Sequence, residues 1–420
     1  MKVKLLNLVL RGSGLFGKFL LTFFLARVLT PSELGTFGLI NSTMSYSLYL
    51  LGLDFYTYAC RSMAQSDSYS WPNMLRDQLV LYGLSYVATL PLLSLLFLYN
   101  ILPSELALCF FILLVLEHLS QECVRLLIVI KRPLAAGVLL FIRSGLWCYI
   151  LIFVCLIGFD RLDLNFVLLF WLFSDTITLI LAIWLFRKID WKNLSSHIDW
   201  EWIKKGLRIA ALFLMGTLAI RGLFTFDRYF VKTVAGSEVL GVYTLYMGIT
   251  SSIQVFIDAV VFNFQYPLLI STYQKKGWTP FICSYKKFVK QTFFWVTIFS
   301  ALIALLAIPV LKWIGKPIYI QYLSLFYLLL ISSVIYVIGY IPHYGLYTIG
   351  KDKIIIVANI IGFLAFIVLG VLFTSYNLTG IAISFFIANA IIGIIKQWGF
   401  IKISRNPSIR NQLSNTRGAR

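Results

Sequence analysis

The sequence predicts an all-α, polytopic membrane protein with about twelve transmembrane helices. The 420-residue chain is 60% hydrophobic and only 13% charged, whereas a soluble domain carries about 25% charged residues. Its mean hydropathy is +0.87, and long apolar stretches recur along its whole length. So few charged residues cannot cover the surface of a soluble protein of this size. The apolar residues must therefore face lipid.

Twelve stretches are long enough to cross a membrane, for which a helix needs about 20 mainly apolar residues. They are 5–30, 34–58, 78–99, 106–130, 134–159, 164–186, 206–233, 239–270, 291–314, 319–350, 354–373 and 379–400. Each is continuously apolar rather than alternating, which favours helices over membrane strands. Arg11 and Lys18 interrupt the first stretch, so we interpret it as a helix and not as a cleaved signal peptide.

The distribution of positive charge predicts that both termini are cytoplasmic. Of the 36 Lys and Arg residues, 24 lie at the termini and in the alternate loops on the same side. The opposite loops carry four, which are Arg161, Lys232, Lys312 and Lys316. Lys and Arg are enriched in cytoplasmic loops, and an even number of helices also puts both termini on one side. This topology signal, rather than nucleic acid binding, accounts for the net charge of +19.

The chain is expected to divide into two lobes of six helices. The predicted parts are an N-terminal lobe at 1–190, a cytoplasmic linker at 191–205, a C-terminal lobe at 206–400 and a basic cytoplasmic tail at 401–420. A short internal repeat supports the division. The sequence Ser-Glu-Leu-Gly opens the second helix at 32–35, and Ser-Glu-Val-Leu-Gly opens the eighth at 237–241. Internal repeats are common in transporter folds.

Ionisable residues inside the apolar stretches are the candidate functional residues, because a charge at bilayer depth usually faces a cavity or a partner. The cations expected along a substrate path are Arg11, Lys18, Arg125, Arg143, Arg221 and Arg228. The acids expected to couple an ion or to pair with these cations are Glu117, Glu122, Asp175 and Asp258. Together they predict a hydrated lumen shared by both halves.

Helical spacing supports this interpretation and also provides the alternative to it. Arg11 and Lys18 are seven residues apart, which returns to nearly the same helix face. Glu122 and Arg125 are spaced i,i+3, so they could simply pair and hold a bundle together. Lys396 lies near a predicted helix end, where a long basic side chain reaches the interface.

Two segments resemble the Wzx-type O-antigen flippases of the MOP (multidrug/oligosaccharidyl-lipid/polysaccharide) exporter superfamily. They are FLARVLTPSELGTFGL at 24–39 and GLDFYTYA at 52–59, followed by Arg61. The resemblance implies two six-helix lobes around a central cavity, in the bacterial inner membrane. It also implies flipping of undecaprenyl-pyrophosphate-linked repeat units from the cytoplasmic to the periplasmic leaflet. The expected partners are this lipid-linked oligosaccharide, membrane lipids, and the polysaccharide polymerase and chain-length regulator.

Two other classes of function remain open at this point. A cation-coupled exporter of the multidrug type would use the buried acids, although the number of central Arg and Lys residues weighs against it. A membrane enzyme of polysaccharide assembly would need a catalytic motif, and the three histidines, His118, His197 and His343, lie in none. The six cysteines form no CxxC pair, and no P-loop occurs. We therefore predict a protein that is not an enzyme and has no catalytic residue, cofactor or metal.

Overall fold

The computed structural model describes residues 2–157, 162–187, 191, 194–195 and 197–405, and these form helices and no strand. The predicted all-α class is confirmed. Backbone contacts divide the chain into two compact units, with the boundary between Arg221 and Gly222. The boundary falls inside a long helix, about four turns beyond the end of the predicted linker at 205.

The N-terminal unit consists of eight helices and the first part of a ninth within the described residues. They are α1 (Lys2–Val28), α2 (Pro31–Gly52), α3 (Tyr56–Gln65), α4 (Trp71–Leu98), α5 (Ala107–Val129), α6 (Pro133–Phe141), α7 (Trp147–Leu156), α8 (Leu164–Phe186) and the start of α9 (Trp200–Ile257). A π-helical segment, Ile142–Leu146, joins α6 to α7.

The C-terminal unit contains the rest of α9 and seven further helices within the described part of the chain. They are α10 (Asn263–Lys276), α11 (Trp278–Ile314), α12 (Pro317–Gln321), α13 (Leu323–Ile338), α14 (Tyr340–Thr348), α15 (Asp352–Leu372) and α16 (Asn377–Arg405). A second π-helical segment, Asp258–Phe262, joins α9 to α10.

Ten helical segments among the described residues are long and apolar enough to cross a membrane. The sequence predicts about twelve, and two features account for the difference. One candidate, Trp200–Lys276, is 77 residues long and contains two predicted stretches; its helix is interrupted at Gly236, which has φ 81° and ψ 178°. The helix α2 has 22 residues but is not among the ten, because Ser, Thr and Tyr interrupt its apolar sequence.

Local sequence signals set the start of α2 and the break in α9. Thr30 and Glu33 form a capping box: the Thr30 side chain accepts from the Glu33 amide at 3.2 Å, and Glu33 accepts from the Thr30 amide at 2.8 Å. Such reciprocal bonds satisfy amides that an α-helix leaves unpaired at its N-terminus. The second copy of the repeat directly follows Gly236, which adopts a conformation that favours glycine. Both repeat copies therefore begin a helix after a break.

The predicted stretch 34–58 is wrong as a continuous helix. Leu53 and Asp54 adopt left-handed conformations, with φ 52° and 51°, and they separate α2 from α3. The Leu53 amide donates to the Tyr49 carbonyl at 2.9 Å, which closes α2 with a left-handed cap. As a result, Asp54 lies in a tight turn, and its side chain is only 4% exposed.

Candidate functional site

Four charged side chains of the N-terminal unit come from four different elements and form a group that we call the Glu117 cluster, consisting of Lys18, Glu117, Arg143 and Asp175. The Arg143 Nη2 atom lies 3.1 Å from Glu117 Oε1. Lys18 and Asp175 interact electrostatically with this pair. Glu117 is 5% exposed, Arg143 is 9% exposed and Asp175 is fully buried. The structure thus brings together four of the predicted residues.

The two acids of the Glu117 cluster have acceptor capacity to spare. The two carboxyl groups interact with each other through their side chains, and Glu117 also interacts with the Trp171 side chain. No donor among the described residues makes a hydrogen bond of normal geometry to either oxygen of Asp175 or to Glu117 Oε2. Neighbouring carboxylates repel each other unless a proton or a cation lies between them. Buried polar groups are normally hydrogen-bonded, so this arrangement is suited to taking up a proton or a small cation. No group of three or more His, Cys, Asp and Glu residues in the described chain has the arrangement of a metal site.

The π-helical segment Ile142–Leu146 positions Arg143. Ser174 on α8 donates to the Ile142 carbonyl at 2.6 Å and ties this segment to the helix that carries Asp175. A β-carbon on Gly145 would lie 2.7 Å from the Gly14 α-carbon, so α1 and the segment touch backbone to backbone. Lys18 follows Gly14 by four residues and therefore lies on the same face of α1. Two glycines thus let α1 bring Lys18 to the cluster.

A second group of residues forms a site that we call the Arg–Tyr site, consisting of Tyr49, Asp54, Tyr56, Arg125 and Arg221. The Arg125 guanidinium lies 3.6 Å from the centre of the Tyr56 ring. The Arg221 guanidinium lies 5.1 Å from the Tyr49 ring centre and donates to the Tyr49 hydroxyl at 3.1 Å. Asp54 interacts electrostatically with both arginines. The Arg125 side chain is 21% exposed and Arg221 is exposed, so Arg221 is the more accessible of the two arginines.

Glu122 holds Arg125 in place. It is 4% exposed and accepts hydrogen bonds from Gln78 at 3.1 Å, from the Tyr82 hydroxyl at 2.8 Å and from Arg125. A carboxylate with three donors has little capacity left for a transported ion. Glu122 therefore pairs with Arg125, which is the alternative that their i,i+3 spacing predicted.

The remaining predicted residues are not part of these two groups. Arg11 is exposed on α1. In the C-terminal unit, Arg228 pairs with the fully buried Asp227 at 3.2 Å, and Asp227 also accepts from the Tyr243 hydroxyl at 2.8 Å. Asp258 is half-buried and opens the second π-helical segment.

The surroundings of two further charged residues were not predicted from the sequence. Lys396 is only 6% exposed, and α16 continues to Arg405, so Lys396 lies more than two turns inside the helix and not at its end. The charge of Lys396 interacts with the half-buried His343. Asp54 was not among the candidate site residues, although it lies in the 52–59 segment that carries the resemblance. That segment was the signal that could have identified it.

This helical fold is shared with solved membrane transporters. An inward-facing structure of a multidrug resistance MATE family transporter of the MOP superfamily aligns with a TM-score of 0.77 at 19% identity, over 96% of this chain and 96% of that one. A MATE structure in the straight conformation aligns with a TM-score of 0.65 at 20% identity, over 96% and 95%. An outward-facing MATE transporter gives a TM-score of 0.65 at 20% identity, over 96% and 94%. No curated protein matches the chain.

The fold is therefore that of these multi-pass membrane transporters. A family model described as "Polysaccharide biosynthesis protein" matches residues 8–274, well over half of the chain. The chain belongs to this polysaccharide biosynthesis family.

Proposed function

We propose that this protein is a flippase that moves undecaprenyl-pyrophosphate-linked O-antigen repeat units from the cytoplasmic to the periplasmic leaflet of the inner membrane. The Arg–Tyr site is the observation that carries the proposal. Its two arginines offer planar N–H donors, which suit the oxygens of a pyrophosphate. Its tyrosines offer aromatic faces and hydroxyls next to those donors. Membership of the polysaccharide biosynthesis family favours a glycan over a drug as the cargo.

Alternating access of two lobes around a central cavity is the proposed mechanism. The glycan and the pyrophosphate need a hydrated path, whereas the lipid tail remains in the bilayer. In this scheme, the cations predicted along the path, Arg11, Lys18, Arg125, Arg143, Arg221 and Arg228, attract the anionic headgroup. The inner-membrane location, the cytoplasmic termini, and contacts with the polymerase and the chain-length regulator belong to the same proposal.

The Glu117 cluster supports a second role for the N-terminal unit. We propose that Asp175, with Glu117 beside it, takes up the proton or sodium ion that drives the transport cycle. The spare acceptor capacity of these two neighbouring acids is also the feature that favours the alternative function, a cation-coupled exporter of the multidrug type. The two functions differ in cargo, so a transport measurement with a defined cargo separates them.

Deletion and complementation test the cargo. Deleting the gene is expected to abolish polymerised surface glycan and to trap lipid-linked repeat units on the cytoplasmic leaflet. Expression of the intact chain is expected to restore both. Intact surface glycan after deletion, in a strain without a second flippase, would exclude the proposed cargo. If deletion instead lowers resistance to cationic drugs, the protein is the multidrug-type exporter.

A further inference from the structure

We propose that the C-terminal unit carries a binding groove for an anionic phospholipid, with one acyl chain in an apolar channel and the phosphate held by basic residues at its end. The groove consists of two adjoining hollows that share Tyr285, Val289, Gln397 and Ile401. The first hollow has a volume of about 550 Å³ and the second about 470 Å³. All lining residues belong to the C-terminal unit.

The first hollow is built to receive a hydrocarbon chain. Its walls are mostly aliphatic and aromatic side chains of α11, α13, α14 and α16, among them Phe293, Pro342 and Ile394. Gly339 and Gly393 face each other at its floor: a β-carbon on Gly339 would lie 3.5 Å from the Gly393 α-carbon. Two facing glycines leave room that larger side chains would fill.

The second hollow supplies the charge for a headgroup. Lys286 and Lys290 on α11 are spaced i,i+4 and share one helix face, and Arg405 ends α16 beside them. The residues that line this hollow include three cations and no carboxylate. Trp398 stands at the rim of the first hollow, with the Lys402 ammonium 5.1 Å from its ring centre. Tryptophan is enriched where the hydrocarbon meets the headgroups.

The length of the groove matches one membrane leaflet. Along α16 it runs from Ala390 to Arg405, about 22 Å at 1.5 Å per residue. Half of a bilayer, including its headgroup region, is about 20–22 Å thick. The basic end belongs to the segments that the sequence predicts to be cytoplasmic, and the cytoplasmic leaflet holds the anionic lipids. A phospholipid of that leaflet therefore fits both the length and the charge of the groove.

Native mass spectrometry of the purified full-length chain tests this proposal independently of the proposed flippase function, because it uses no repeat unit. The lipids are phosphatidylglycerol and phosphatidylethanolamine with identical acyl chains. The charge variant is Lys286→Gln, Lys290→Gln and Arg405→Gln together. Its matched control is Lys275→Gln, Lys276→Gln and Lys353→Gln, which removes the same charge outside the groove. Gly393→Leu fills the channel, with Gly393→Ala as its control.

The intact chain is expected to retain phosphatidylglycerol in preference to phosphatidylethanolamine. The charge variant is expected to bind phosphatidylglycerol roughly a hundredfold more weakly, since each of its three basic residues near a membrane surface contributes a factor of about five. Gly393→Leu is expected to weaken the binding of both lipids equally. Neither control variant is expected to weaken the binding of either lipid.

Three results would overturn the proposal. One is equal binding of the two lipids by the intact chain. Another is an equal loss in the charge variant and its control, which would mean general surface attraction. The third is displacement of phosphatidylglycerol by equimolar undecaprenyl phosphate, which would make the groove a substrate site. If Gly393→Leu does not fold, the charge variant still decides the question, because its three residues are exposed.

Discussion

Arg143 and Arg221 differ in their surroundings, so removing the charge is expected to impair folding at Arg143 and to impair transport without impairing folding at Arg221. Arg143 is 9% exposed and lies 3.1 Å from Glu117. In Arg143→Ala, the two buried acids of the Glu117 cluster keep only Lys18 as a nearby cation. Removing one partner of a buried ion pair costs about 3–5 kcal/mol. That is a large part of the roughly 5–15 kcal/mol by which a folded protein is stable.

The corresponding change at Arg221 is expected to be mild for folding. Arg221→Ala removes a hydrogen bond to Tyr49, an exposed cation–π contact and an electrostatic interaction with Asp54, and interactions of this kind at an exposed side chain are each worth about 1 kcal/mol or less. Arg143→Ala is therefore expected to lower membrane abundance, while Arg221→Ala accumulates normally and loses flipping. Arg221→Lys is expected to keep part of the activity, because the charge remains but the planar donor pair does not.

The assay combines immunoblots of membranes, thermal unfolding of the purified variants in detergent and complementation of surface glycan. Glu117→Gln combined with Arg143→Met supplies the control, since it removes both charges of the pair and is expected to recover part of the abundance lost in Arg143→Ala. The reasoning is refuted if Arg143→Ala accumulates and unfolds like the intact protein. It is equally refuted if Arg221→Ala is as unstable as Arg143→Ala.

Three further predictions address packing, ion coupling and topology. Gly145→Ala is expected to destabilise the protein by about 1–3 kcal/mol, since its β-carbon would meet the Gly14 backbone; Gly12→Ala, with open space around it, is expected to unfold at or above the temperature of the intact protein. Asp175→Asn is expected to keep its abundance but to lose the dependence of flipping on a proton or sodium gradient in proteoliposomes. The exposed Asp67→Asn is the matched control and is expected to keep this dependence. The same dependence in Asp175→Asn would exclude Asp175 as the coupling group. Reporter fusions are expected to show the periplasm at Gly236 and Gly315 and the cytoplasm at Ser195 and Lys276, and the reverse pattern would contradict the predicted orientation.

The helices were predictable because their signals are local. Continuous apolar length identifies a membrane helix whatever it packs against, and the capping box at Thr30 and the glycine at 236 mark boundaries in the sequence itself. The left-handed turn at Leu53 and Asp54 was not predictable in this way. Neither residue type favours positive φ as glycine does, so tertiary contacts decide the conformation there.

The candidate residues were predictable as a set, but their partners were not. Glu122 and Arg125 are neighbours on one helix, so their pairing can be expected from spacing alone. The pairing of Glu117 with Arg143 joins α5 to the π-helical segment after α6, and no spacing rule reports a contact between separate helices. Sequence alone could not separate the anchoring role of Glu122 from the spare acceptor capacity of Asp175. Both are acids inside apolar stretches, and only their hydrogen-bond partners differ.

The π-helical segments connect the fold to the candidate sites. Among the described residues there are two, and each contains a charged residue singled out from the sequence, Arg143 in one and Asp258 in the other. A π-helical turn inserts a residue and loosens the regular hydrogen bonding, so it costs stability and is retained mainly at functional positions. This coincidence favours a working role for Arg143 and Asp258, and it makes the charge-specific variants at these two positions more informative than those at the exposed Arg11.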